Sequence, residues 1–285
     1  MFYLILSILS STLILIIFKL LEKLKIRIFN VIVINYIVAS FTGLYLSKTS
    51  ISISEILESN WLINSIILGV MLIILFYTIG LSSQKAGITI TSIASKISVI
   101  IPILFSIIYY NETMTWIKII AIILGVSSII LSIIKNKGFE LKNIILPLTL
   151  FFGIGILDSI IKYTQTTYLT SDMYSIFSGL SFSFAGIIGI ILCLFNSAIL
   201  KNFLRPRVWF VGILLGLANF GSMYFLLIAL NESGMDSSIV FSINNLSIVI
   251  FSVIAAISFF KEKVSILNWI GIFLSLISLF ILTNL

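Results

Sequence analysis

Histidine is absent from the chain, and its only cysteine is Cys193. The first absence excludes imidazole as a base or metal ligand. A lone cysteine inside an apolar run cannot form an internal disulfide and reads as a small packing residue. Charged residues make up only 9% of the 285 positions, against 60% hydrophobic, and the mean hydropathy is +1.26. A surface facing water cannot be built from that composition. No Walker-type glycine-rich loop occurs, which argues against ATP hydrolysis by this chain. No nucleophile–base pair, metal-ligand set or acid dyad is visible, so neither an enzyme nor a cofactor is expected. The first apolar run begins at residue 2 without a basic leader or a small-residue cleavage site and reads as a retained helix.

What the chain has instead is apolar length. Ten runs of about 20 residues, the length a spanning helix needs, fall at 2–18, 28–47, 61–81, 88–110, 115–134, 143–161, 173–195, 208–230, 239–260 and 265–284. Their uninterrupted character predicts helices rather than alternating barrel strands. The fold class is therefore all-α, a polytopic membrane protein in contact with lipid over most of its surface. Net charge is +7; in such a chain it marks topology rather than nucleic-acid binding. Alternating the connections between two faces puts thirteen of the seventeen Lys and Arg on one of them: Lys19, Lys23, Lys25, Arg27, Lys85, Lys135, Lys137, Lys142, Lys201, Arg205, Arg207, Lys261 and Lys263. The positive-inside rule makes this basic face cytoplasmic and puts both termini outside.

Two stretches, Trp61–Lys135 and Val208–Leu285, repeat one pattern. Each has a glycine-bearing apolar run (Gly69; Gly216) and a turn glycine eighteen residues later (Gly87; Gly234). A run with one polar spot follows (Ser95-Lys96; Asn244-Asn245), closed by Tyr109-Tyr110-Asn111-Glu112 or Phe259-Phe260-Lys261-Glu262. Each copy ends in a helix with small residues four apart (Ala121 and Gly125; Gly271 and Ser275). Five spans per copy is an odd number, so the halves 1–137 and 138–285 enter the membrane in opposite senses, as an inverted repeat. Leu9-Ser10-Ser11 can be laid over Leu157-Asp158-Ser159. Pro102 has no counterpart in the ninth span, so a kink in the fourth should not be mirrored there.

The run from Ile93 to Pro102, its closing Glu112 and the Ala121-xxx-Gly125 pair, echoed by Glu262 and Gly271-xxx-Ser275, resemble the EamA-like branch of the drug/metabolite transporter superfamily. The resemblance implies ten helices around a central cavity lined by spans 3, 4, 8 and 9 with spans 1 and 6, and peripheral spans 5 and 10. It also implies a bacterial cytoplasmic (inner) membrane. The family habit puts both termini inside, against the charge count.

Polar groups deep in a bilayer cost about 2.5–3.5 kcal/mol each on insertion scales, so they face the protein interior or a wet cavity. Lys96 is the leading substrate-binding candidate, as a cationic anchor for a carboxylate or phosphate; an internal ion pair or snorkelling is the plainer alternative. Asp158, the acid deep in a span, is a candidate for proton or ion coupling, or a structural partner of Lys162 or Lys96. Asn244 and Asn245 sit opposite Lys96 in the repeat, as substrate ligands or as helix glue. Asn219, Asn35, Tyr36 and Tyr77 form a second tier. Glu112 and Glu262 read as framework that fixes a short turn, Gln84 and Lys85 as solvated turn residues, and Lys118 as a snorkelling cation.

The reading is a secondary transporter that moves a small, anionic or zwitterionic polar or amphipathic metabolite, such as an amino acid, by alternating access between the halves. Export is the direction that the resemblance implies. A lipid-carrier flippase would need a laterally open groove. A non-transporting scaffold or accessory subunit would pair Lys96 with Asp158 in a dry core.

Overall fold

A bilayer offers the backbone no hydrogen-bond partners, so each apolar run must satisfy its own amides as a helix. The computed structural model describes residues 1–46, 53–111, 113–133, 142–170, 173–195, 203, 205–232, 234–235 and 237–283, which contain helices and no strand. Numbered as spans, α1 is Phe2–Lys23, α2 Ile28–Tyr45, α3 Leu62–Lys85, α5 Trp116–Ile133 and α6 Lys142–Tyr168. α7 is Tyr174–Leu194, α8 Pro206–Glu232, α9 Ser237–Phe260 and α10 Ile266–Thr283. The fourth span consists of two helices, α4a (Ile88–Ile97) and α4b (Ile100–Tyr109). Eight spans are long and apolar enough to cross a membrane, and the apolar α5 and α10 have 18 residues each. At 1.5 Å per residue, 18 residues reach about 27 Å, close to the hydrocarbon thickness.

Every expected span is present, but three run past their apolar stretch. α1 continues to Lys23, α3 to Lys85 and α6 to Tyr168. Their extra turns are richer in polar residues than the runs they extend. A short helix, Ile53–Glu58, sits in the connection read as irregular. The break in the fourth span at Ser98-Val99 follows from Pro102, which lacks the N–H that would bond the Ser98 carbonyl. Ile101 N–H takes that carbonyl instead in a tighter turn (2.9 Å), and the Ser98 hydroxyl donates to the Ser95 carbonyl (2.7 Å). α9 has no proline and is continuous.

Packing follows the exchange of span n with span n+5. α1 packs on α8 as α6 packs on α3, α2 on α8 as α7 on α3, and α1 on α9 as α6 on both halves of α4. α2 with α7, α4a with α9 and α5 with α10 are their own counterparts. The α5–α10 pair stands apart from the cavity and is closely apposed. A Cβ on Gly271 would strike the Ser132 hydroxyl and approach the Ser128 carbonyl at 2.9 Å. The Ser278 hydroxyl donates to the Ala121 carbonyl (2.7 Å), and the Asn268 amide to the Ser132 carbonyl (2.6 Å). The small residues four apart are there to let backbones touch.

Several contacts break the exchange, those of α1 among them. α1 packs against α3 and α4a, whereas α6 makes no comparable packing against α8 or α9 among the described residues. At the basic face Leu15, Ile88 and Ala256, with Ile79 and Phe260, form an apolar plug joining α1, α3, α4a and α9. At the opposite face the apolar clusters stay separate. Leu4, Ile8, Ala229, Val240 and Ile248 join α1, α8 and α9, whereas Trp61, Leu68, Leu157, Ile176 and Phe177 join α3, α6 and α7.

Candidate functional site

Between those separated clusters lies a cavity. Its deeper part, of about 330 Å³, is lined by Ser11 and Ile14 of α1, Leu75 and Ile79 of α3, Ser92, Ser95 and Lys96 of α4a, Ile154 and Asp158 of α6, and Ile248 of α9. Its outer part, of about 170 Å³, is lined by Leu68, Ile161, Gln165, Phe177, Ser181 and Met223. Leu72, Phe76, Leu157, Asn219 and Ser222 border both, which makes them one chamber. The outer part lies toward the face opposite the basic one, since Gln165 and Phe177 are within one turn of the helix ends there.

Lys96 occupies the last turn of α4a, directly before the break. Asp158 sits midway along α6. Both side chains line the chamber, yet neither forms a side-chain hydrogen bond, or an ion pair within 4.0 Å, with a described residue. An ammonium-bearing and a carboxyl-bearing side chain therefore line one largely apolar space without touching each other. Lys162 is turned elsewhere: its ammonium donates to the Ser106 hydroxyl (2.5 Å) and lies 5.8 Å from the Tyr110 ring centroid. Asn219 adds an amide whose Nδ2 is buried without a hydrogen-bond partner on the chamber wall.

The other candidates lie around the chamber rather than on it. The Asn244 carbonyl oxygen accepts from the Ser7 hydroxyl (3.1 Å), tying α9 to α1. Asn245 is partly buried and outside the lining. Tyr36 is fully buried; its hydroxyl donates to the Leu72 carbonyl (2.8 Å) and its ring stacks on Phe182 (5.9 Å), so it backs the chamber wall. Asn35 is buried with both amide atoms lacking partners, where α8 crosses α2: a Cβ on Gly216 would approach the Asn35 carbonyl at 2.9 Å. Tyr77 is 40% exposed on the outer surface, edge-on to Phe29. Lys118 reaches back to the Thr113 carbonyl (3.1 Å) at the membrane border, as a snorkelling cation does.

The plug is roofed by polar contacts at the basic face. Glu262 accepts from the Ile88 N–H (2.9 Å) and from the Thr89 hydroxyl (3.3 Å), capping the N-terminus of α4a with a carboxylate from the other half. The expected framework role holds, but its partner is neither its own turn nor the next helix. Gly87 makes room for it. Its φ of +107° disfavours a side chain, and a Cβ there would meet the Glu262 carboxylate at 2.9 Å. Gly234, the corresponding glycine, has φ +67° and no described atom within 4 Å of such a Cβ. Glu112 lies outside the described residues. Gln84 is not a solvated turn residue: its side-chain amide donates to the Phe18 carbonyl (3.0 Å) while its own carbonyl accepts from the Lys19 ammonium (2.7 Å). Ser92 and Ser222 are chamber residues that the sequence reading does not single out, and Ser11 and Ser95 enter it only through the repeat. Ser92, Ser95 and Lys96 share one helical face by spacing, as do Asn219 and Ser222, and that was the available signal.

Comparison with known proteins agrees with this architecture. The model of the EamA-like transporter family matches residues 142–284, the stretch that carries α6 to α10. An uncharacterised protein of Haemophilus influenzae is 27% identical over 292 aligned positions, which cover 98% of this chain and 96% of that one.

Proposed function

This chain belongs to the EamA-like transporter family, and from that premise we propose that it is a secondary transporter for zwitterionic amino acids with apolar side chains. It is a multi-pass membrane protein of a family that moves small molecules across the bilayer. The observation that carries the substrate reading is the pairing of Lys96 and Asp158 on one chamber without a direct ion pair. The Lys96 ammonium is suited to a carboxylate, the Asp158 carboxylate to an ammonium, and Leu72, Leu75, Phe76 and Leu157 to an apolar side chain. A dry structural core would instead have closed the two charges on each other.

The halves 1–137 and 138–285 act as the rocking units of alternating access. The resemblance implies a bacterial cytoplasmic membrane, and the charge count supports the basic face in the cytoplasm. The plug and the Glu262 cap then close the cytoplasmic side of an outward-facing state. Asp158 also serves coupling: a proton and the substrate ammonium compete for one carboxylate, which makes exchange, and hence export against a gradient, possible. Counterflow in proteoliposomes tests the reading. Preloaded unlabelled leucine or phenylalanine should drive uptake of the labelled amino acid, while dicarboxylates and sugars should not. Scrambling of fluorescent phospholipid without amino-acid counterflow would overturn it in favour of a flippase.

A further inference from the structure

We propose that the headgroup of a net-anionic phospholipid binds in a second, separate pocket at the basic face. This pocket, of about 320 Å³, lies between the α1–α2 turn and the start of α8. Lys25, Arg27, Arg205 and Arg207 line it together with Leu24, Ile26, Pro206 and Val208. Four cations thus converge from segments about 180 positions apart (205 − 25) with no acidic residue among the lining. None of the four forms a side-chain ion pair with a described residue. What sets them apart from the other cations of this face is that they are gathered on one concavity without an acidic residue.

Both walls are held rigidly. Lys25 has φ +53°, and its turn is closed by Lys25 N–H to the Glu22 carbonyl (3.2 Å) and Ile26 N–H to the Leu21 carbonyl (3.0 Å), a Schellman-type helix end. On the other side Pro206 opens α8, with the Val208 N–H bonded back to the Arg205 carbonyl (3.0 Å). The guanidinium groups suit bidentate contact with phosphate oxygens, and the helix start adds a favourable dipole. Depth selects the lipid over a free anion. Leu24 is 54% exposed beside the pocket, and Trp209 follows Val208 with its indole N–H bonded to the Phe203 carbonyl (2.8 Å), an interfacial tryptophan placing. A basic pocket between helices at this level is where anionic headgroups bind.

Native mass spectrometry of the full chain, released from detergent containing equal phosphatidylglycerol and phosphatidylethanolamine, tests this. One phosphatidylglycerol should be retained under activation that strips phosphatidylethanolamine. At roughly fivefold per cation near the surface, R205Q/R207Q should lower that preference about 25-fold, and K25Q/R27Q likewise from the opposite wall. K85Q/K261Q, which removes two cations of the same face outside the pocket, should leave it unchanged. Helical circular dichroism verifies that each variant folds. An equal loss in K85Q/K261Q would show diffuse attraction and overturn the proposal, as would no headgroup preference in the native chain. Displacement of the lipid by millimolar inorganic phosphate would assign the pocket to a free anion and overturn the lipid.

Discussion

Removing the Glu262 carboxylate should open the basic face. Glu262→Ala deletes the bonds to the Ile88 N–H and the Thr89 hydroxyl and leaves the start of α4a uncapped. Hydrogen bonds to a charged group contribute about 1.5–3 kcal/mol, and loss of a helix N-cap costs about 1 kcal/mol. Glu262 is only partly buried, so we take about 2 kcal/mol, which is roughly 30-fold in an equilibrium constant. The Leu15–Ile88–Ala256 plug and the Gln84 contacts remain, so the closed form weakens without vanishing. Ser92 lines the chamber beneath the plug and serves as reporter. In a Cys193→Ser background, Ser92→Cys should react with an impermeant maleimide from the basic face roughly 30-fold faster once Glu262→Ala is added, while labelling from the other face falls. Glu262→Gln, which keeps an acceptor oxygen but not the charge, should give an intermediate rate. Unchanged labelling from the basic face in a folded Glu262→Ala protein would refute the latch.

Four further outcomes follow from the same geometry. Gly87→Ala should mimic Glu262→Ala in the labelling assay, because a Cβ there meets the Glu262 carboxylate and the φ of +107° adds strain of about 1–3 kcal/mol; Gly234→Ala, with open space around it, should not. Gly271→Val should lower the thermal midpoint in detergent, since overpacking against Ser132 and the Ser128 carbonyl costs about 1–3 kcal/mol. Tyr77→Ala, at the outer surface, should change neither stability beyond about 0.5 kcal/mol nor counterflow. Asp158→Asn should retain substrate exchange less well than native and abolish any proton-driven component, read as loss of uptake driven by an imposed pH gradient.

The spans were legible because the bilayer imposes a length and a composition, and both are written in one dimension. Helix ends were less so. Lys19–Lys23 and Ser82–Lys85 carry polar residues that end the apolar run although the helix continues. The break in α4 and its absence from α9 could be read directly from Pro102. Lys96 and Asp158 stood out because polar groups at that depth need a reason, whereas Asn219 ranked only in the second tier. Tyr77 and Asn244 were harder to place, since lipid and protein core are equally apolar and hydropathy does not say which face of a spanning helix looks outward. Glu262 showed its importance by recurring in the repeat, but its partner is 174 residues away, and only the packed halves bring them together.

Lys96 is the group proposed to bind the substrate carboxylate. Counterflow kinetics with leucine and leucinamide, for the native chain and Lys96→Ala, test that directly. Native protein should carry leucine and discriminate against leucinamide, and Lys96→Ala should lose leucine transport by roughly 10- to 100-fold while the discrimination collapses, as expected for about 1.5–3 kcal/mol of charged hydrogen bonding. Equal transport of both compounds by native protein, or leucine kinetics unaltered by Lys96→Ala, would contradict it.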